Sequence, residues 1–230
     1  MPVALLLLTL AAAPNPQIWT FKTGAHAKVS VSNVAGAISV EGVSGDQVIV
    51  EANVGGDADS RWTVDANSDG ENVRVRACCG SCDEDDHHCG PNMGRVEFKL
   101  KVPEESALTV KAVSSAISVR GVRGSEKIHS VSGGIDVSGS RAPLEIHNVS
   151  GAVKLAPQQV ASTEVHTVSG DVQIALPARP DAKVTLRTVS GSLNGKRSMG
   201  SRETVFGKGT NEIKVKSVSG SVETDPVSGQ

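Results

Sequence analysis

Residues 146–155 read IHNVSGAVKL, and the central Val149-Ser150-Gly151 is one copy of a phrase that returns along the chain. Seven copies align on Val34, Val113, Val131, Val149, Val168, Val189 and Val218. Three residues before each stands an aliphatic residue: Val31, Val110, Ile128, Ile146, Val165, Leu186 and Val215. Four residues after stands another: Ile38, Ile117, Ile135, Val153, Val172, Leu193 and Val222. From Val113 onward the copies are spaced by 18, 18, 19, 21 and 29 residues. Period-2 alternation on both sides of a glycine corner, repeated at this short interval, is the signature of stacked β-coils; helical repeats are longer and carry a 3.6-residue period.

The pattern predicts an all-β repeat solenoid with coils of about 18–20 residues. One coil cannot bury its apolar face, so stacked coils share a continuous core. Glycine follows the phrase at Gly36, Gly133, Gly151, Gly170, Gly191 and Gly220, because a tight corner takes a positive φ that costs other residues energy. The repeat valine is expected to point inward and stack on its counterpart in the next coil. The serine is expected to bond a nearby backbone group. Two copies depart: Val34-Ala35-Gly36 lacks the serine, and Val113-Ser114-Ser115 lacks the glycine. A second corner is marked by Gly42-Val43-Ser44-Gly45 and Gly121-Val122-Arg123-Gly124.

Composition agrees. Valine supplies 33 of 230 residues, and there are two Trp, three Phe and no Tyr. A β-branched core favours strands. The net charge of −2 gives no global drive toward nucleic acid. Charge is uneven, with ten acidic and six basic residues over 53–103 (net −4) and twelve acidic and fifteen basic over 104–230 (net +3). The start, MPVALLLLTLAAAP, fits the apolar region of an export signal over residues 1–14 and is too short to span a bilayer. No later segment is apolar enough for a membrane span. The expected order is a first repeat segment at 15–52, an insertion at 53–103, the main repeats at 104–224 and a tail at 225–230. A loop is expected over the Gly-rich stretch 195–209.

The insertion breaks the rhythm. Two alternating stretches, Val73–Arg76 and Val96–Val102, read as paired strands around the loop 77–90, ACCGSCDEDDHHCG. This loop holds Cys78, Cys79, Cys82 and Cys89, with His87 and His88 among four acids. In an oxidising compartment four such cysteines form two disulfides, and three connectivities are open. Alternatively Cys79 and Cys82, with His87 or His88 and Cys89, supply a tetrahedral zinc site. A redox role for the Cys-x-x-Cys lacks a supporting βαβ pattern.

Two residues before each repeat valine the series runs Ser32, Lys111, His129, His147, His166, Arg187 and Lys216. Alternation places this position outside, so stacking predicts a surface ladder. Such a strip is either a solvated polar stripe or a surface for an anionic polymer, a cell-surface glycan or a soft cation. Imidazolium ions stacked this closely repel, so these histidines are expected to titrate low and the surface to respond to pH.

The repeated V-S-G-x-[VIL]-x-[VIL] after a signal-like start resembles the bacterial β-solenoid family of putative adhesins, a group of unknown function, over roughly residues 25–224. That resemblance implies a β-repeat domain of the cell envelope and brings no catalytic residues. No G-x-S-x-G, Walker or H-E-x-x-H motif is present. The expectation is a non-enzymatic exported protein, periplasmic, surface-bound or extracellular, with an adhesive or structural role. One alternative is a metal-binding or redox-sensing module at the cysteine loop. The other is a bactofilin-like scaffold that self-associates through open coil ends.

Overall fold

The computed structural model describes residues 16–55, 62–80, 82 and 94–226. The signal-like start, His87, His88 and Cys89 lie outside the described residues. Those described form sixteen strands and no helix. In chain order they are β1 (Gln17–Lys22), β2 (Lys28–Val43), β3 (Gln47–Gly55), β4 (Trp62–Asp69), β5 (Asn72–Cys79), β6 (Arg95–Pro103), β7 (Ala107–Arg120) and β8 (Glu126–Ser132). There follow β9 (Ile135–Ser138), β10 (Leu144–Ser150), β11 (Val153–Ala156), β12 (Thr163–Ser169), β13 (Val172–Leu176), β14 (Ala182–Leu193), β15 (Lys196–Phe206) and β16 (Asn211–Pro226).

Each repeat contributes one rung with two arms, before and after the glycine corner. In β2, β7, β14 and β16 one strand runs through the corner, whereas β8/β9, β10/β11 and β12/β13 are split by it. First arms pair in parallel in the order β2-β7-β8-β10-β12-β16-β14. Second arms pair in parallel as β2-β7-β9-β11-β13-β16. Register is strict: Val31, Val110, Ile128, Ile146, Val165 and Val215 face one another across successive rungs. All six are buried, as are their second-arm counterparts Ile38, Ile117, Ile135, Val153, Val172 and Val222. Each such side chain contributes roughly 1.5–3 kcal/mol by leaving water.

The corner explains the glycine. Gly133, Gly151, Gly170 and Gly220 have φ of 121°, 114°, 149° and 135°. A Cβ on Gly151 would run into the carbonyl oxygen of Gly133; Gly170 stands in the same relation to Gly151, and Gly220 to Gly170. The glycines thus form a column of close backbone approaches. The expected second corner is also present, with Gly42 packed on the Gly121 carbonyl.

Four expectations are corrected. First, the repeat valine does not point inward: Val113, Val131, Val149, Val168, Val189 and Val218 are 45–67% exposed, and Val34 is half-buried. Alternation puts the residue before each valine inside, and the phase slips by one at the glycine, restoring burial four residues later. Second, β5 and β6 do not pair with each other. Both lie parallel to β2, β5 on its first arm and β6 on its second, so together they form one more rung. Third, the last two repeats are exchanged in space, since β16 lies between β12 and β14. Fourth, residues 196–206 form β15, a hairpin with β14, rather than a loop. Its turn is Asn194-Gly195, both at positive φ, the pairing that two-residue hairpins favour.

Antiparallel strands close the parallel stack at both ends. β15 covers β14, while β4 covers β5 and β3 with β1 covers β6. Among the described residues no helix is long and apolar enough to cross a membrane.

Candidate functional site

The outer face of the first arms carries side chains in columns, because every rung repeats the same alternation. Two residues before the valine, Ser32, Lys111, His129, His147, His166 and Lys216 are neighbours across β2, β7, β8, β10, β12 and β16. Arg187 follows on β14. The expected ladder is therefore in place. The imidazoles stack face to face, with centroids 5.0 Å apart for His129 and His147 and 4.7 Å for His147 and His166.

A column of acids and lysines fixes these rings from the far side. Glu145 lies 2.9 Å from Nε2 of His147 and Glu164 lies 2.8 Å from Nε2 of His166. Lys127 reaches Glu145 at 3.0 Å, and Lys216 reaches Glu164 at 2.8 Å. The hydrogen bond from Lys216, then that from His166, holds the Glu164 carboxyl at about 2. The His147 hydrogen bond, then that of Lys127, lowers Glu145. An ionised carboxylate only accepts, so both histidines carry the proton on Nε2. His129, without such a carboxylate on its own strand, is pushed below the ordinary histidine range, by burial first and by the His147 charge second.

Beside this rail runs the exposed valine column. The two flank a groove of about 920 Å³, whose floor includes Asn33, Ala112, Ser130, Asn148, Thr167 and Ser217. Floor side chains lock the corner: Asn148 Nδ2 donates to the Gly151 carbonyl at 2.9 Å and Asn33 Nδ2 to the Val96 carbonyl at 2.8 Å. Five rung intervals at ~4.8 Å make the groove about 24 Å long, and two residues of strand make it about 7 Å wide. Beyond the valines lies a serine column. Ser132 Oγ donates to the Val113 carbonyl and Ser150 Oγ to the Val131 carbonyl, at 3.2 and 3.3 Å.

Sequence reasoning found the histidine rail but missed the groove, because it placed the valines inside. The available signal was the phase of the alternation, since a residue three places after a buried strand position faces outward.

On β5, Ala77 joins the groove's lining, and Cys78 and Cys79 follow it at the end of that strand. Cys78 and Cys82 form a disulfide, one of the open pairings. Cys79 is half-buried and has no disulfide partner among the described residues. With its sulfur in that bond, Cys82 is not a thiolate ligand. Among the described residues, no group of three or more His, Cys, Asp or Glu side chains is arranged to hold a metal ion. Peptide mapping of unreduced, alkylated protein is expected to recover Cys78 linked to Cys82; a Cys79–Cys82 link in its place would refute the pairing.

An all-β stack of in-register rungs with a charged and aliphatic corner groove is thus the class this chain defines. It belongs to the Toastrack DUF4097 family, whose model matches residues 21–224. No curated protein matches the sequence. Among solved structures, a putative cell adhesion protein from Clostridium sporogenes is similar at 11% identity, over 91% of this chain and 99% of that one, with a TM-score of 0.44. A putative adhesin from Bacteroides fragilis is similar at 10% identity, over 92% and 98%, with a TM-score of 0.44.

Proposed function

We propose that this is a non-enzymatic, exported surface-interaction protein of the cell envelope, a β-solenoid whose corner groove holds an extended anionic polymer. The observation that carries the reading is the pairing of two continuous rails, one of lysine and histidine, the other of exposed valine. Buried apolar residues need no further role, but six solvent-facing valines in one line form a contiguous patch of the kind that marks an interaction surface. The apolar start of the chain supports export, and the disulfide fits an oxidising compartment. The absence of a catalytic motif from the sequence supports a binding role.

Self-association through coil ends is the weaker reading. Antiparallel strands cap both ends, and the outermost β15 carries Lys196, Arg197, Arg202 and Glu203, charges that discourage edge pairing. The zinc set that includes Cys82 would require the Cys78–Cys82 bond to open first.

The test is binding to a labelled sulfated dextran in low salt. The double variant Lys111→Gln/Lys216→Gln is expected to weaken binding about tenfold, roughly 0.7 kcal/mol per exposed lysine. Raising the salt to 0.5 M is expected to weaken the wild type similarly. Affinity unchanged by both would remove the groove from the reading.

A further inference from the structure

Three strands have a single partner among the described residues: β1 pairs with β3, β4 with β5 and β15 with β14. Each offers a free edge of unpaired backbone groups. Two of these edges are blunted by charge, β15 by Lys196, Arg197, Arg202 and Glu203, and β4 by Asp65 and Asp69. β1 reads Gln17-Ile18-Trp19-Thr20-Phe21-Lys22 and is uncharged until its last residue. β-Branched and aromatic residues fill its centre, and Ile18 is 61% exposed. An edge of this composition is a template for another strand. It also stands clear of the rest of the stack. Beyond β2 the first arms add β5 and β4, whereas the second arms add β6, β3 and β1, one strand more.

The free backbone groups of β1 can be named. Thr23 N–H donates to the Asp46 carbonyl at 2.9 Å, in step with the β1–β3 register. Ladder bonds of an antiparallel pair alternate residue by residue. Gln17, Trp19 and Phe21 therefore bond β3, while Ile18, Thr20 and Lys22 direct N–H and C=O to the free edge. Side chains alternate as well. Trp19 and Phe21 are half-buried against the core, and Ile18, Thr20 and Lys22 are exposed on the opposite face.

We propose that β1 is the pairing edge for a second copy of this chain, joined antiparallel across a two-fold axis at Thr20. The segment is complementary to itself in that register. Thr20 faces Thr20 of the second copy, and Ile18 faces Lys22 in both directions, so all the edge-directed groups of these residues are paired. Trp19 faces Phe21 twice at the non-hydrogen-bonded positions, where side chains come closest. Aromatic and threonine cross-strand pairs are favourable. The two lysines stay four residues, roughly 14 Å, apart along the strands. A slip of two residues one way sets Lys22 against Pro16, which lacks an N–H. The opposite slip brings the lysines together. A strand of unrelated sequence would make the same backbone bonds without these side-chain matches. The pairing is isologous and closes on itself, so it yields a dimer and not a filament. No β1 residue lines the corner groove, so the dimer keeps two open grooves. A strand about 20 Å long buries less than the ~800 Å² per partner of a standard interface, so the dimer is expected to dissociate on dilution.

Sedimentation velocity of the full chain over a range of concentrations tests this. The wild type is expected to pass from monomer to dimer as concentration rises. Thr20→Pro removes an edge-directed N–H and leaves the β3 ladder intact; it is expected to stay monomeric. Ile18→Lys alters an exposed side chain and sets like charges opposite each other twice per dimer, so it is expected to weaken dimerisation about tenfold. Adding Lys22→Glu to Ile18→Lys sets opposite charges at both places and is expected to restore the wild-type affinity. A wild type that is monomeric throughout would overturn the proposal and leave the edge to a strand from another protein. Association that persists in Thr20→Pro, through the apolar start or any other surface, would overturn it as well. So would failure of Lys22→Glu to rescue Ile18→Lys, because the register would then be wrong.

Discussion

Gly151→Ala is expected to destabilise the protein by about 3 kcal/mol or more, while Gly134→Ala changes stability by less than about 1 kcal/mol. Two costs add at Gly151. Its φ of 114° lies where an L side chain is strained, at about 1–3 kcal/mol. Its Cβ would also collide with the Gly133 carbonyl, which is backbone and cannot rotate away. The rungs must then separate locally, and the buried Ile146 and Val153 on either side of the corner lose packing. Gly134 lacks the positive φ, and the nearest atom to an added Cβ is the Ala152 oxygen at 3.9 Å, an ordinary contact. There alanine mainly restricts the unfolded chain, worth about 0.4–1 kcal/mol in favour of folding. Urea unfolding of the two variants beside wild type measures the difference. If Gly151→Ala unfolds within about 1 kcal/mol of wild type, the glycine column does not set the rung spacing.

That pair of glycines also shows what could be read from the residues alone. Gly151 belongs to the repeated phrase and Gly134 does not, so the pattern separated a structural glycine from an incidental one. The buried positions three before and four after each valine were equally legible, because burial in a repeat is a local, periodic property. The histidine rail followed from the same alternation. What failed was mostly non-local. Repeats with the same pattern offer the same edge to any neighbour, so nothing local distinguishes β12 stacked on β14 from β12 stacked on β16. The widened spacings of 21 and 29 residues were the trace of that exchange. Within the second of these, Leu193-Asn194-Gly195-Lys196 carried a hairpin signal that the surrounding glycines obscured. The β5/β6 rung lacks the V-S-G phrase altogether, so its membership in the stack shows only in its register with β2. The valine column was a different kind of miss. Its constancy suggested a core role, yet the buried columns vary among Val, Ile and Leu while the exposed one stays Val at every copy. Such constancy at an exposed position is what directs attention to the groove.

Glu126→Leu is expected to stabilise the protein at neutral pH by about 3 kcal/mol and to flatten its pH dependence. Glu126 occupies a core position, between Leu108 and Leu144 in the register of β7, β8 and β10. It is 1% exposed, and neither carboxyl oxygen has a hydrogen-bond partner among the described residues. Burial disfavours the charged form and pushes its pKa up from 4.5 to about 8. The sign follows from proton counts. Between about 4.5 and 8 the native carboxyl keeps its proton and the unfolded one has lost it, so unfolding releases a proton and rising pH favours it. The contribution of Glu126 to stability is therefore most favourable below 4.5. It declines by about 1.4 kcal/mol per pH unit through the window, and is level above about 8. Urea midpoints at pH 5, 7 and 9 for wild type, Glu126→Gln and Glu126→Leu isolate this group, since the other titrations are shared. Glutamine is expected to remove the slope while keeping an unsatisfied buried amide, and leucine to remove both. A wild-type slope identical to that of both variants would mean that Glu126 is solvated or paired in solution, and that the core at β8 is not the continuous apolar column its neighbours Leu108 and Leu144 define.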